Sequence, residues 1–77
     1  MDKHLYKLMN WPRIEAVCYS EEDHPEELLG VHAVTGGSLV QCFFPEAKEV
    51  EFSDEGKGTL TPLEEVDEAG FFAGLLP

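Results

Sequence analysis

Sixteen carboxylates, three histidines and two cysteines are the residues of this 77-residue chain able to do acid–base, metal or nucleophilic chemistry. With so many carboxylates, chance pairs are inevitable. An acid/base pair of the glycosidase kind also needs a cleft that fixes its separation and raises one pKa. Glu64-Glu65 and Glu21-Glu22-Asp23 are merely sequence neighbours and read as solvated faces. His4, His24 and His32 are separated by 20 and 8 residues, intervals that make neither a one-turn helical pair nor a zinc spacing. Cys18 and Cys42 do not complete one, so the expectation is no metal and no cofactor. Gly36-Gly37 and Gly56-Lys57-Gly58 lack the phosphate-loop pattern and a following helix, and read as turns. No nucleophile elbow is present. What remains is stacking, because flat side chains grip the apolar faces of neutral sugars while amides fix the hydroxyls. Tyr6 and Trp11 near a helix junction, and Gln41 with Phe43 on one strand, are the candidates. Their structural alternatives are as concrete: Trp11 beside Pro12 staples two helical segments, and Phe43 packs beneath them.

These residues are held by elements that the pattern predicts in two blocks. Asp2 is placed to cap a short turn carrying Leu5, Leu8 and Met9. Asn10 is placed to cap a second helix with Pro12 in its first turn, where Ile14, Val17 and Cys18 fall on one stripe; that helix should end near Tyr19. Asp23 and Glu26 have capping-box spacing for a third short helix through Leu29, stopped by Gly30. Beyond His32 the period changes. Thr35-Gly36-Gly37 is a turn, and Ser38–Phe44 alternates Val40, Cys42 and Phe44 against Leu39, Gln41 and Phe43. Glu49–Phe52, Thr59–Val66 (interrupted by Pro62) and Phe71–Leu76 are further strands, separated by turns at 53–58 and 67–70. The expectation is four short strands of an antiparallel β-sandwich behind a helical appendage.

Size and charge narrow the function classes. A chain this short is one small domain, buries only about 60% of its surface and has marginal stability. A net charge of −11 repels phosphate backbones and anionic lipid, so neither nucleic acid nor membrane is an expected partner. Five Phe, two Tyr and one Trp argue against a disordered acidic tail. No apolar run approaches the roughly 20 residues of a spanning helix, and the N-terminus lacks a secretory pattern. Two cysteines in apolar surroundings favour reduced thiols and a cytoplasmic location over a disulfide. The apolar run that ends on Pro77 reads as a piece cut from a longer protein.

His24-Pro25-Glu26-Glu27-Leu28-Leu29-Gly30-Val31-His32, the run Leu39 to Val50 with its Phe43-Phe44-Pro45-Glu46-Ala47, and the closing Gly70-Phe71-Phe72-Ala73-Gly74-Leu75-Leu76-Pro77 occur in an order and spacing that resemble the N-terminal domain of glycogen branching enzymes. That pattern is D-P-x-x-x-L-G-x-H, then F-x-P-x-A-x-x-V, then G-x-F-x-x-x-L-P. It covers most of the chain from Ala16 onward; His24 stands where the family usually has Asp, and Val31 where Pro is frequent. The resemblance implies a mainly β, immunoglobulin-like sandwich, left incomplete in these residues, with residues 1–30 as a helical segment and 31–77 as the β portion. It implies a non-catalytic module of a 1,4-α-glucan branching enzyme that positions glucan or packs against neighbouring domains, the catalytic barrel lying elsewhere. The alternative is an interaction domain that binds no carbohydrate and forms a homodimer through an exposed sheet edge.

Overall fold

The computed structural model describes residues 3–54 and 56–76, without the side chain of His4, so the expected Asp2 cap and the Pro77 ending lie outside the described residues. Helix α1 spans Lys3–Leu8 and α2 spans Trp11–Cys18. Asn10 caps α2 as expected: its Oδ1 accepts from the Arg13 N–H at 3.4 Å, and Pro12 sits in the first turn, where a missing N–H costs nothing. The stripe is real, with Ile14 and Val17 buried. The helix stops because Ser20 turns into the left-handed region at φ 58°, with its N–H bonded back to the Val17 carbonyl.

The third helix is shorter than expected. Only Pro25–Glu27 forms a single 3-10 turn, flanked by His24 and without a side-chain cap, so the Asp23 capping box is not made. Arg13 explains part of this: its guanidinium reaches across from α2 to the His24 carbonyl at 3.3 Å and to Glu27 at 3.3 Å, holding the segment against α2.

Five antiparallel strands follow: β1 (Gly30–Val34), β2 (Gly37–Phe43), β3 (Val50–Asp54), β4 (Thr59–Asp67) and β5 (Phe71–Leu76). Their order across the sheet is β1-β2-β5-β4-β3, so the last strand made lies at the centre. The antiparallel β expectation holds. The described residues form a single curled sheet beneath a helical layer, with no second sheet facing it. The extra strand is β1, whose five residues look like a loop until Thr35-Gly36 folds them back on β2 with Val34 opposite Gly37. Pro62 is tolerated in β4 because it lies in the half that pairs with β3, opposite Glu51, whereas β5 pairs from Glu64 onward. A bulge between Glu65 and Asp67 bends β4 at that crossing.

Register assigns the faces. Leu39 stands opposite Leu75, Gln41 opposite Ala73 and Phe43 opposite Phe71. This side meets Leu5, Met9, Ile14, Val17 and Leu28 from the helical segment and forms the core, with Phe71, Ala73 and Ile14 fully buried. The other side carries Val31, Val40, Cys42, Phe72 and Leu63, and no helix covers it.

Candidate functional site

Of the four sugar-stacking candidates, the structure joins two. Tyr6, on α1, and Trp11, at the start of α2, lie with ring centroids 5.1 Å apart and planes tilted by 44°. Tyr6 is exposed, while Trp11 is half-buried against the core and its indole N–H is buried without a protein partner. The pair therefore presents an exposed tyrosine braced by a half-buried tryptophan.

The other two occupy the helical side of β2 and do not extend that platform. Gln41 is only 3% exposed, and its amide N–H donates to the Leu28 carbonyl at 2.7 Å. The side chain is committed, and no sugar hydroxyl reaches it in this conformation; its Oε1 is buried and unpaired. Phe43 is half-buried against the core and borders a small concavity with Val17, Glu22 and Pro25. The spacing of Gln41 and Phe43 put them correctly on one face, but alternation alone does not say which face lies under the helices.

His32 has a structural task that its place in the sequence only hinted at. Its Nε2 lies 2.9 Å from the Leu28 carbonyl and 3.1 Å from that of Leu29. Since carbonyls accept, Nε2 carries the proton. Together with Gln41 it satisfies the carbonyls left open where the 3-10 turn ends, clasping the turn to the sheet. Gly30, between the turn and the strand, takes φ +99° to make that exit.

The ionic chemistry is concentrated around Arg13. Its Nε and one terminal nitrogen each donate at 3.0 Å to the two Glu22 carboxylate oxygens. That fork, and the His24 backbone N–H beyond it, hold the Glu22 carboxyl below its ordinary range. Glu26 is likewise lowered, first by a backbone N–H and then by the His24 ring at 3.2 Å. Cys18 and Cys42 are free thiols, and burial pushes both upward, away from the nucleophilic thiolate. Among the described residues no three His, Cys, Asp or Glu side chains converge to hold a metal ion, and no helix is long and apolar enough to cross a membrane.

The feature that a search for chemistry overlooks is apolar. On the uncovered side, the curl of the sheet brings Val50 and Phe52 of β3 towards Val40 and Cys42 of β2, leaving an open concavity of about 440 Å³. Val31 is 54% exposed and Phe44 52% exposed at its margins. The alternation Val50-Glu51-Phe52 beside Val40-Gln41-Cys42 contains the signal for it. This face is suited to dry contact with another apolar surface rather than to proton transfer.

Comparison with known proteins identifies the family. The family model described as the N-terminal domain of the alpha-1,4-glucan branching enzyme GlgB matches residues 10–77. Among curated relatives, a 1,4-alpha-glucan branching enzyme GlgB of Rhodopseudomonas palustris is 45% identical over 65 residues, covering 82% of this chain and 9% of the relative. One of Bradyrhizobium diazoefficiens is 40% identical over 70 residues, covering 86% of this chain and 10% of the relative. A third, of Burkholderia pseudomallei, is 38% identical over 64 residues, with 83% and 9% covered. The chain thus spans about a tenth of the length of the curated relatives it matches. No solved structure matches it.

Proposed function

Because the chain belongs to the family of N-terminal domains of the α-1,4-glucan branching enzyme GlgB, we propose that it is a non-catalytic module of such an enzyme, working in cytoplasmic glycogen biosynthesis. It packs against neighbouring domains through the uncovered sheet face and offers α-glucan a stacking surface at Tyr6 and Trp11. The bond-making residues then belong to another part of the parent enzyme. The observation that carries this reading is the open apolar face of Val31, Val40, Cys42, Phe44, Val50 and Phe52, in a domain whose relatives are about ten times as long. An apolar surface of that kind gains by burial at about 25 cal/mol per Å², and a neighbouring domain supplies the cover.

Two measurements separate the halves of the proposal. In native gels containing glycogen, the chain should be retarded, and Tyr6→Ala should restore free mobility. Unchanged mobility at high glycogen removes the glucan contact and leaves the packing role. For packing, Phe52→Asp in the parent branching enzyme should lower its thermal midpoint by several degrees and leave the domain open to protease. An unchanged midpoint would remove the packing role.

A further inference from the structure

Resting on the packing role proposed above, we infer the chemistry of the surface that covers the open sheet face. It is part of the parent branching enzyme, apolar at its centre and basic, arginine foremost, along the border that meets Glu49, Glu51 and Glu65. The open face is not uniform. Its concavity shares Val50, Glu51 and Leu63 with a second depression of about 460 Å³, which adds Glu49, Glu65 and Lys48 around Phe72. Register explains the juxtaposition. Val50 stands opposite Leu63 and Glu65 opposite Phe72, so Glu65 comes up on the open side two residues beyond Leu63. Glu49 and Glu51 flank Val50 at the free edge of β3, and all three acids are exposed.

These carboxylates differ from those of the helical layer, which find partners within the chain. There Arg13 takes Glu22 and Glu27, and the His24 ring takes Glu26. Among the described residues no ion pair engages Glu49, Glu51 or Glu65. Lys48 is the one base lining the second depression; it is outnumbered three to one and forms no ion pair among the described residues.

An uncovered face leaves these charges in water, where they cost nothing. A cover that dries Val50 and Leu63 also strips water from the acids beside them, and an ionised carboxylate dried without a counter-charge is strongly unfavourable. The cover must supply cations at that border or stop short of it, and stopping short leaves Val50 and Leu63 wet. Arginine suits this border: its guanidinium is weakly hydrated, and its planar fork holds a carboxylate at two points, as Arg13 holds Glu22 within this chain. The net charge of −11 acts in the same direction, drawing a basic surface in and turning a second copy, a phosphate backbone or anionic lipid away.

Charge reversal in the full-length parent enzyme tests this, because paired acids and solvated ones predict opposite signs. Glu49→Lys, Glu51→Lys and Glu65→Lys together should speed protease release of the domain by about fivefold or more, and Gln at the same three positions should act in the same direction more weakly. Were these acids merely solvated, the reversal would relieve self-repulsion and leave release unchanged or slower. Glu15→Lys, Glu21→Lys and Asp23→Lys, the same charge change at exposed acids of the helical segment, should leave release unchanged. In the wild type, release should quicken with added sodium chloride, and the Gln set should lose most of that dependence. A triple reversal that leaves release alone or slows it overturns the proposal, and so do two triple sets that quicken it alike. Phe52→Asp keeps the two levels apart: if it loosens the domain and the reversal at Glu49, Glu51 and Glu65 does not, the packing role stands and the basic border falls.

Discussion

The two faces of this sheet are both apolar, yet one is closed and the other open, and the difference lies in what the first third of the chain supplies. On the helical side, Leu5, Met9, Ile14, Val17 and Leu28 fill the space over Leu39, Phe71 and Ala73. On the other side Val40 and Phe72 are covered only by their neighbours and the curl of β3, while Val31 and Phe44 stand half in water. Burial under the helices is continuous, whereas on the open face it is confined to the middle of the sheet, at Val40 and Phe72, and gives way to exposure at Val31 and Phe44. The closed face should therefore carry the stability of the chain and the open face its associations.

The sharpest attempt to break that contrast truncates one phenylalanine on each side. Phe71→Ala should cost about 3–5 kcal/mol in urea unfolding. A domain of this size holds only about 4–12 kcal/mol in all, so that loss leaves it unfolded or nearly so. Phe44→Ala should change stability by no more than about 0.5 kcal/mol. Equal losses would mean that the second face is already covered in solution.

Glycine substitutions sharpen the same point on a smaller scale. Gly70 takes φ +110°, and an added Cβ there would meet the backbone of Phe44, its carbonyl oxygen at 2.7 Å, so Gly70→Ala should cost about 2–4 kcal/mol. At Gly74 the same Cβ meets only the end of the Leu63 side chain, at 2.6 Å on the open face. Leu63 has room to swing, and Gly74→Ala should cost about 1 kcal/mol in the same assay.

The smallest effect is electrostatic and belongs to the helical layer. Glu22 and Glu26 have carboxyls lowered in the folded state. Their stabilisation is present above the unfolded carboxylate pKa of about 4.3 and is lost as pH falls through the folded values. Arg13→Ala removes the main cause at Glu22, so its pH–stability curve should fall less steeply below about pH 4.3 than that of the parent. Superimposable acid limbs would show that the Arg13 fork contributes nothing net.

Much of this architecture was legible in the residues, and the exceptions have physical reasons. The Asn10 cap, Pro12, the Ile14 and Val17 stripe and the alternation of Ser38–Phe44 are local signals, and local signals survived. The β1 strand was hidden because five residues opening on glycine gain strand character only from pairing with β2. The third helix was over-read because Asp23–Glu26 spacing is necessary for a capping box and not sufficient, and Arg13 draws the neighbouring acids elsewhere. At the candidate site, Tyr6 and Trp11 were findable as aromatics close in sequence. The burial of Gln41 was not, since it depends on a carbonyl thirteen residues away, at Leu28.

The strand order has a consequence for how the molecule is made. β5, its most buried strand, is also the last to be synthesised, and it inserts between two hairpins, β1–β2 and β3–β4, that do not otherwise touch as ladders. Until Phe71–Leu76 has left the ribosome the helices have only the β1–β2 part of their floor, Leu39 and Phe43, and lack Phe71 and Ala73. The hairpins must wait as separate, sticky pieces, and the domain is born in a single late step.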